Sequence, residues 1–380
     1  MLIFGTGDRK RGAKLALVSS GLLMFGTVAQ AADSGSFLQK LHHHPTLTTT
    51  VPDNGDQNPY AIVIAPASAG TVSKGDVLID NFNNAGNLQG TGTTIVDYNP
   101  ATKKLSLFAA LPHNLAGCPG GVGLTAAMTM LKSGWVIVGS APSTDGTTAT
   151  LGAGCLVVLD PTGKVAAVWS GPDIRDPWGN MAVIDKGSTA TLFVSNAGFG
   201  VGAPVDNQPV IDKATVLRLD LTIPDGKPPV ISNQTVVANG LGEQPDKSVF
   251  LVGPTGLALA ADGTLYASDA TANRIIAIPD AATRNDSAGT GRAVTKDGFL
   301  QHPLALIMTP GGHLIATNAL NGQAVEIDPA TGKQLGAQWF DADKAQTPPG
   351  SGDLFGIAIA PSGDRVYYVE DDVNTLVSAQ

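Results

Sequence analysis

The chain has 380 residues, 43% of them apolar, only 14% charged and 5% aromatic, with 46 glycines and 25 prolines. That apolar content excludes a disordered chain, which needs low hydrophobicity and high net charge, and so many helix breakers exclude a helical bundle, because each costs roughly 1 to 3 kcal/mol inside a helix. A formal net charge of −9 excludes the basic stripe that nucleic-acid binders carry, so no nucleic-acid partner is expected.

At the N-terminus, Arg9, Lys10, Arg11 and Lys14 form a basic stretch, residues 15–28 an apolar run, and Ala29-Gln30-Ala31 fits the small-residue cleavage rule. A membrane span needs about 20 apolar residues; this run is shorter and carries Ser19, Ser20, Gly21 and Gly26. Residues 1–31 are therefore predicted to be a secretory signal peptide, with the mature protein periplasmic or secreted and no membrane insertion after cleavage. Losing four basic residues and Asp8 takes the net charge from −9 to −12. In the following run, His42-His43-His44, only His42 and His44 share a face on a strand, and the run reads as solvated surface.

Residues 46–51 are rich in β-branched side chains and predict a strand. After it one unit keeps returning: an apolar strand, a Gly/Asp/Ser turn, and a second apolar strand ending on a small polar residue. Residues 253–269, reading GPTGLALAADGTLYASD, align without a gap on residues 302–318, reading HPLALIMTPGGHLIATN. Looser copies cover 58–81, 124–140, 177–196 and 353–370. A third strand runs into an Asp-Pro turn or a variant (Asn99-Pro100, Asp160-Pro161, Asp328-Pro329), where proline presets the turn, and a fourth strand follows. Six such units describe an all-β fold, a six-bladed β-propeller of four-stranded antiparallel blades. The last unit stops after its third strand, so residues 46–51 are predicted to close the ring. Residues 32–380 are then one domain, expected to be a monomer.

The Gly/Pro-rich lead of the fourth unit, its Asp262-Gly263-Thr264-Leu265-Tyr266 turn and strand, and Ser268-Asp269 followed by Asn273-Arg274 resemble NHL-type propeller repeats. The wider similarity is to the six-bladed group that contains the gluconolactonase-like, calcium-dependent hydrolases. That resemblance implies a carboxylate and amide set around an ion near the axis. One departure is specific: the glutamate those enzymes carry just before the first strand of the first blade has no counterpart here, where Asn58-Pro59-Tyr60 stands.

The residues ending the second strands should converge on one mouth of the channel: Asn81, Ser140, Asn196, Asp269, Asn318 and Glu370, the last followed by Asp371. Small polar residues cap strand ends. A hard cation, in contrast, takes six to eight oxygens, and Asn81, Asn196, Asp269, Asn318 and Glu370 are candidate Ca2+ ligands. Long loops at 82–92, 141–154 and 197–214 face the same mouth. Tyr60, Trp178 and Phe355 open inner strands there, as packing residues or as a stacking platform for a ligand, and His302 is a candidate base. Cys118 and Cys155 fall at this end too; an exported chain keeps disulfides, and a bond between them would tether the second loop. The chain lacks Gly-x-Ser-x-Gly, His-Glu-x-x-His, phosphate-loop and haem-attachment motifs. Two readings follow. One is a non-catalytic exported propeller binding a small molecule, peptide or protein at the mouth. The alternative is a calcium-dependent lactonase-like hydrolase or lyase built on the axial set, with His302 as base.

Overall fold

Alternating apolar strands with turns every few residues can bury both faces only by stacking blade on blade. The computed structural model, which describes residues 35–205 and 208–380, shows this arrangement. The expected signal peptide lies outside the described residues. Blade 1 consists of Gln57–Ile64, Val77–Asn83, Thr94–Asn99 and Lys104–Ala110; blade 2 of Leu124–Met130, Val136–Ser140, Cys155–Leu159 and Val165–Trp169. Blade 3 has the inner strand Ala182–Asp185, then Thr189–Asn196 and two long strands, Ile211–Thr222 and Val230–Pro245, with the short Leu251–Val252 as a fifth. Blade 4 runs through Pro254–Leu259, Leu265–Asp269, Arg274–Ile278 and Arg292–Lys296, and blade 5 through Pro303–Met308, Leu314–Asn318, Gln323–Asp328 and Lys333–Trp339. Blade 6 is Leu354–Ile359, Val366–Glu370 and Thr375–Ala379, completed by Thr46–Thr49 from the other end of the chain.

The ring closes as predicted: Thr46 pairs with Val377 and Thr49 with Thr375, in antiparallel register. The closing strand gives blade 6 its outer strand, so each blade keeps only short edges, at the channel and at the rim. Closure has a second part, which the sequence did not announce. Glu326 of blade 5, fully buried, accepts hydrogen bonds from Ser36 Oγ at 2.5 Å and from the amides of Phe37 and Leu38, both at 2.9 Å. His313 Nδ1 lies 2.7 Å from the same carboxylate. The segment before the closing strand is thus pinned on blade 5, with Leu38 and Leu41 in the apolar seam between blades 5 and 6. Of the histidine run, His42 and His43 are exposed, while His44 packs edge-on against Phe340 and Tyr368 and meets the Tyr368 hydroxyl at 3.1 Å.

The core is divided as the blades are. Six apolar clusters occupy the six seams, for example Leu78, Ile95, Met128 and Val157 between blades 1 and 2, and Ile62, Val96, Tyr367 and Leu376 between blades 6 and 1. The repeat alignment has an exact counterpart in register. Pro59 faces Asn81, Leu124 faces Ser140, Pro254 faces Asp269, Pro303 faces Asn318 and Leu354 faces Glu370, each next to a bulge; Pro177 and Asn196 form the equivalent bridge in blade 3.

In blades 3, 4 and 5 a hydroxyl beside the bulge accepts from the amide that the bulge leaves open. Ser195 Oγ accepts from Gly179 N and donates to Thr255 O of the next blade, and Ser268 Oγ does the same with Gly256 N and Leu304 O. Thr317 Oγ1 accepts from Ala305 N. In blade 1 the position holds Asp80, whose Oδ1 accepts from Ala61 N at 2.8 Å while the buried Oδ2 has no partner. Burial pushes its carboxyl up to about 8.

Candidate functional site: the acidic mouth

The residues that open the inner strands are the ones that reach the axis. Tyr60 stacks on Phe82 at 4.3 Å and on Phe355 at 3.8 Å, Trp178 meets Tyr60 edge-on, and Phe250 joins from the link between blades 3 and 4. All five rings are buried, so they plug the channel instead of offering a free stacking face. Further in, Asn180 binds the backbones of blades 4 and 5 at once, donating to Leu257 O and Leu306 O and accepting from both amides. The opposite end of the channel is an aliphatic cavity of about 340 Å3.

The second-strand ends bind nearby loops and strands, and Asn81 Oδ1 alone among them is left buried and unpartnered. Asn81 Nδ2 donates to Thr50 O at 3.0 Å and to Thr94 Oγ1; Ser140 Oγ donates to Gly121 O and accepts from Gly123 N. Asn196 bonds Asp173 O, Thr215 Oγ1 and Arg175 N, and Asn318 bonds Phe299 O, Asn321 Oδ1 and Gln301 N. Asp269 is paired with Arg274 Nε at 2.7 Å, and Glu370 accepts from Thr375 Oγ1 at 3.1 Å. In each case the strand end pins a neighbouring loop, strand or side chain, and the aromatic plug holds the axis where a shared ion would sit. That donor set therefore does not fit an axial cation.

His302 has a left-handed backbone (φ 54°), as have Asn58 (φ 63°) and Asp176 (φ 44°) at the same step of blades 1 and 3. The conformation thus recurs in three of the six blades and is no mark of His302 alone. Burial holds the imidazole below its ordinary range, so it is neutral at neutral pH, and its Nδ1 has no partner. Cys118 and Cys155 form a disulfide that closes the base of the second loop, as expected from the sequence.

Outside the plug lies a polar pocket of about 430 Å3. Its walls come from the blade 1 and blade 2 loops (Asn87, Gln89, Asp145), the blade 3–4 link (Lys247, Ser248) and blade 6 (Asp353, Asp371, Asp372). Gln89 Nε2 donates to Ser248 O at 2.9 Å, bridging two of those loops. Asn58, Asn83 and Asp353 each leave a buried side-chain oxygen without a partner here. The hydroxyl of Tyr60 is likewise buried and unpartnered, and burial, with Asp371 nearby, pushes its pKa well up.

The acids of this mouth were only partly legible. The pairing of Leu354 with Glu370 sets Asp353 beside Asp371, whose amide donates to Asp353 O at 3.1 Å. Burial, the Asp372 charge and the Asp341 carboxyl push Asp353 up to about 8, and burial and Asp353 push Asp371 up as well. Glu370 rises to about 7, through burial first. Asp353 was not singled out from the sequence; the signal that could have found it is its place in the repeat, equivalent to Asn58, Asp176 and His302. Asp341 lies in the blade 5–6 loop, which no repeat covers.

No protein-family model matches the chain, and no curated protein is significantly similar to it. Solved structures are. A gluconolactonase from Xanthomonas campestris superposes with a TM-score of 0.54 at 14% identity, covering 89% of each chain. A putative gluconolactonase gives 0.53 at 15% identity over 90% of this chain and 94% of its own, and a glucose dehydrogenase 0.54 at 13% identity over 89% and 99%. The chain thus has the fold of the gluconolactonase-like six-bladed propellers, as its repeats implied. A lactonase and a dehydrogenase on one scaffold show that the fold alone does not choose the chemistry.

Proposed function

We propose that the protein is a lactonase-like hydrolase acting on a small polar ring ester at the acidic mouth. The observation that carries this reading is the polar 430 Å3 pocket, among whose lining residues Asp353, Asn58 and Asn83 each keep a buried side-chain oxygen without a partner. Its size suits a small molecule, since ligand pockets run from about 300 to 1,000 Å3, and the shared fold of two gluconolactonases supports the class. In the reaction, a carboxylate of the Asp353–Asp371 pair takes a proton from water as its oxygen attacks the lactone carbonyl. The ring C–O bond breaks and the same proton passes to the departing alkoxide, giving the hydroxy acid. Lys247, in the pocket wall, faces the developing negative charge. The reading also keeps the protein exported, which the Cys118–Cys155 bond suits.

Proton release from a panel of five- and six-membered sugar lactones is the test. Turnover above spontaneous hydrolysis, reduced at least 100-fold in Asp371→Asn, is expected; a rate equal to the buffer blank with every lactone would sink the proposal. A second reading, a non-catalytic binder at the same mouth, is favoured by the hydrogen-bonded state of the strand-end ring. Saturable binding of the lactones without turnover would select it.

A further inference from the structure

The loop 341–353 carries the chain from blade 5 to blade 6, and its two end carboxylates meet a third from the last blade. Asp341 follows the last strand of blade 5, Asp353 precedes the inner strand of blade 6, and Asp372 lies in the turn after the second strand of blade 6. One oxygen from each lies within 4.8 Å of the other two. Asp341 and Asp353 are 7% and 5% exposed, so these are not solvated surface acids.

Three further observations point to a missing partner. Asp341 Oδ1 receives the amide of Asp343, but its buried Oδ2 has no partner, and neither has Asp353 Oδ2. Gln346 donates its Nε2 to Asp372 Oδ2 at 3.2 Å, which leaves its own amide oxygen buried and unpartnered beside the cluster. Buried polar atoms are nearly always satisfied, and an orphan calls for a proton, a water or an ion. Here the orphans are all hard oxygens, two on carboxylates that repel one another and one on an amide, and Asp353 and Asp372 also line the polar pocket.

We propose that Asp341, Asp353 and Asp372, with the Gln346 amide oxygen, bind a calcium ion at the seam of blades 5 and 6. Calcium is chosen over magnesium because the donors are irregular, all oxygen, and carried by a loop; magnesium demands near-octahedral geometry and keeps its waters. The ion ties the inter-blade loop to the last blade beside the pocket, away from the axis that the aromatic rings fill. It does not depend on the lactonase reading, because it is read by binding and not by turnover.

The test is calorimetric titration of the chelator-treated protein with CaCl2 alone, alongside thermal melts with calcium or EDTA. One calcium per chain is expected, with a melting temperature raised by calcium, and a loss of affinity of at least tenfold in Asp353→Asn and in Asp372→Asn. Asp372 is exposed, so its variant keeps the fold even if Asp353→Asn does not. Asp269→Asn, at a strand end bound to Arg274, is expected to leave calcium affinity unchanged. No heat and no melting shift at 10 mM calcium would overturn the site, as would affinity in Asp372→Asn equal to that of the unaltered protein.

Discussion

Glu326 and Asp353 are both buried carboxylates one blade apart, and they have opposite surroundings. Glu326 sits under two amides, a hydroxyl and an imidazole, and its hydrogen bonds outweigh burial to hold its pKa below the usual range. Asp353 faces Asp341, Asp371 and Asp372, and burial and repulsion push its pKa up to about 8. Burial alone fixes neither outcome; the donors that the chain brings to the carboxylate decide. The first arrangement is a fastener that holds the N-terminal segment, and the second is a site waiting for a positive partner.

The sharpest way to break this contrast is Glu326→Ala. It strands four donors and frees the segment ahead of the closing strand, so a loss of about 3 kcal/mol is expected in urea unfolding. A loss under about 1 kcal/mol would show that the clip carries little. Because its folded pKa is lowered, the contribution of Glu326 is fully present above the ordinary glutamate range and is lost as pH falls through the folded value, so the gap between variant and parent narrows in acid.

Asp80 extends the comparison to blade 1, where a carboxyl stands in a place that serine fills in blades 3 and 4. Its folded pKa of about 8 lies above the unfolded one, so the folded state binds the extra proton and stability falls as pH rises from about 4 to 8, by up to ~1.4 kcal/mol per pH unit. Asp80→Ser restores a neutral hydroxyl and should gain steadily on the parent as pH rises from about 4 to 8, with the difference vanishing near pH 4. Melting curves across that range check the sign; a constant difference would refute the account.

A smaller effect is expected at the mouth. Without calcium, Asp353→Asn relieves repulsion among the acids and should raise stability at pH 8 by about 1 kcal/mol, whereas in calcium it should lose the stabilisation the parent gains. The smallest effect concerns Tyr60, whose buried hydroxyl has no partner. Tyr60→Phe should lose no more than ~0.5 kcal/mol, because removing an orphan donor breaks no bond and lifts its desolvation cost. A larger loss, measured in the same urea unfolding, would mean that the hydroxyl is engaged at the mouth.

Much of the fold was legible. Periodic strands, Asp-Pro turns and the short last unit gave six blades and the closing strand, and the strand-end column from Asn81 to Glu370 returned as one column of register. The closeness of Cys118 and Cys155 was legible too, because both flank one loop. The chemistry of the strand-end residues was less so. Asn196 and Asn318 could be read as cation ligands or as caps, and which atoms their amides meet depends on loops that carry no period. Glu326, Asn180 and Asp341 stood out by no motif, since each owes its role to a partner at least 77 residues away or on a neighbouring blade.

The sequence by itself determined the repeat, because strand periodicity and turn chemistry are local properties of the backbone and of alternating side chains. It also determined the acidity, −9 for the whole chain. Only the tertiary structure decided where that charge gathers and which carboxylates are satisfied. Pairing Leu354 with Glu370 and folding the loop 341–353 across a seam bring four acids to one edge of the mouth, while aromatic rings from blades 1, 3 and 6 and from the link between blades 3 and 4 fill the axis. The contact of Tyr60 with Phe355 arises from ring closure, which forces the two ends of the chain together, while the acids meet because one loop joins neighbouring blades.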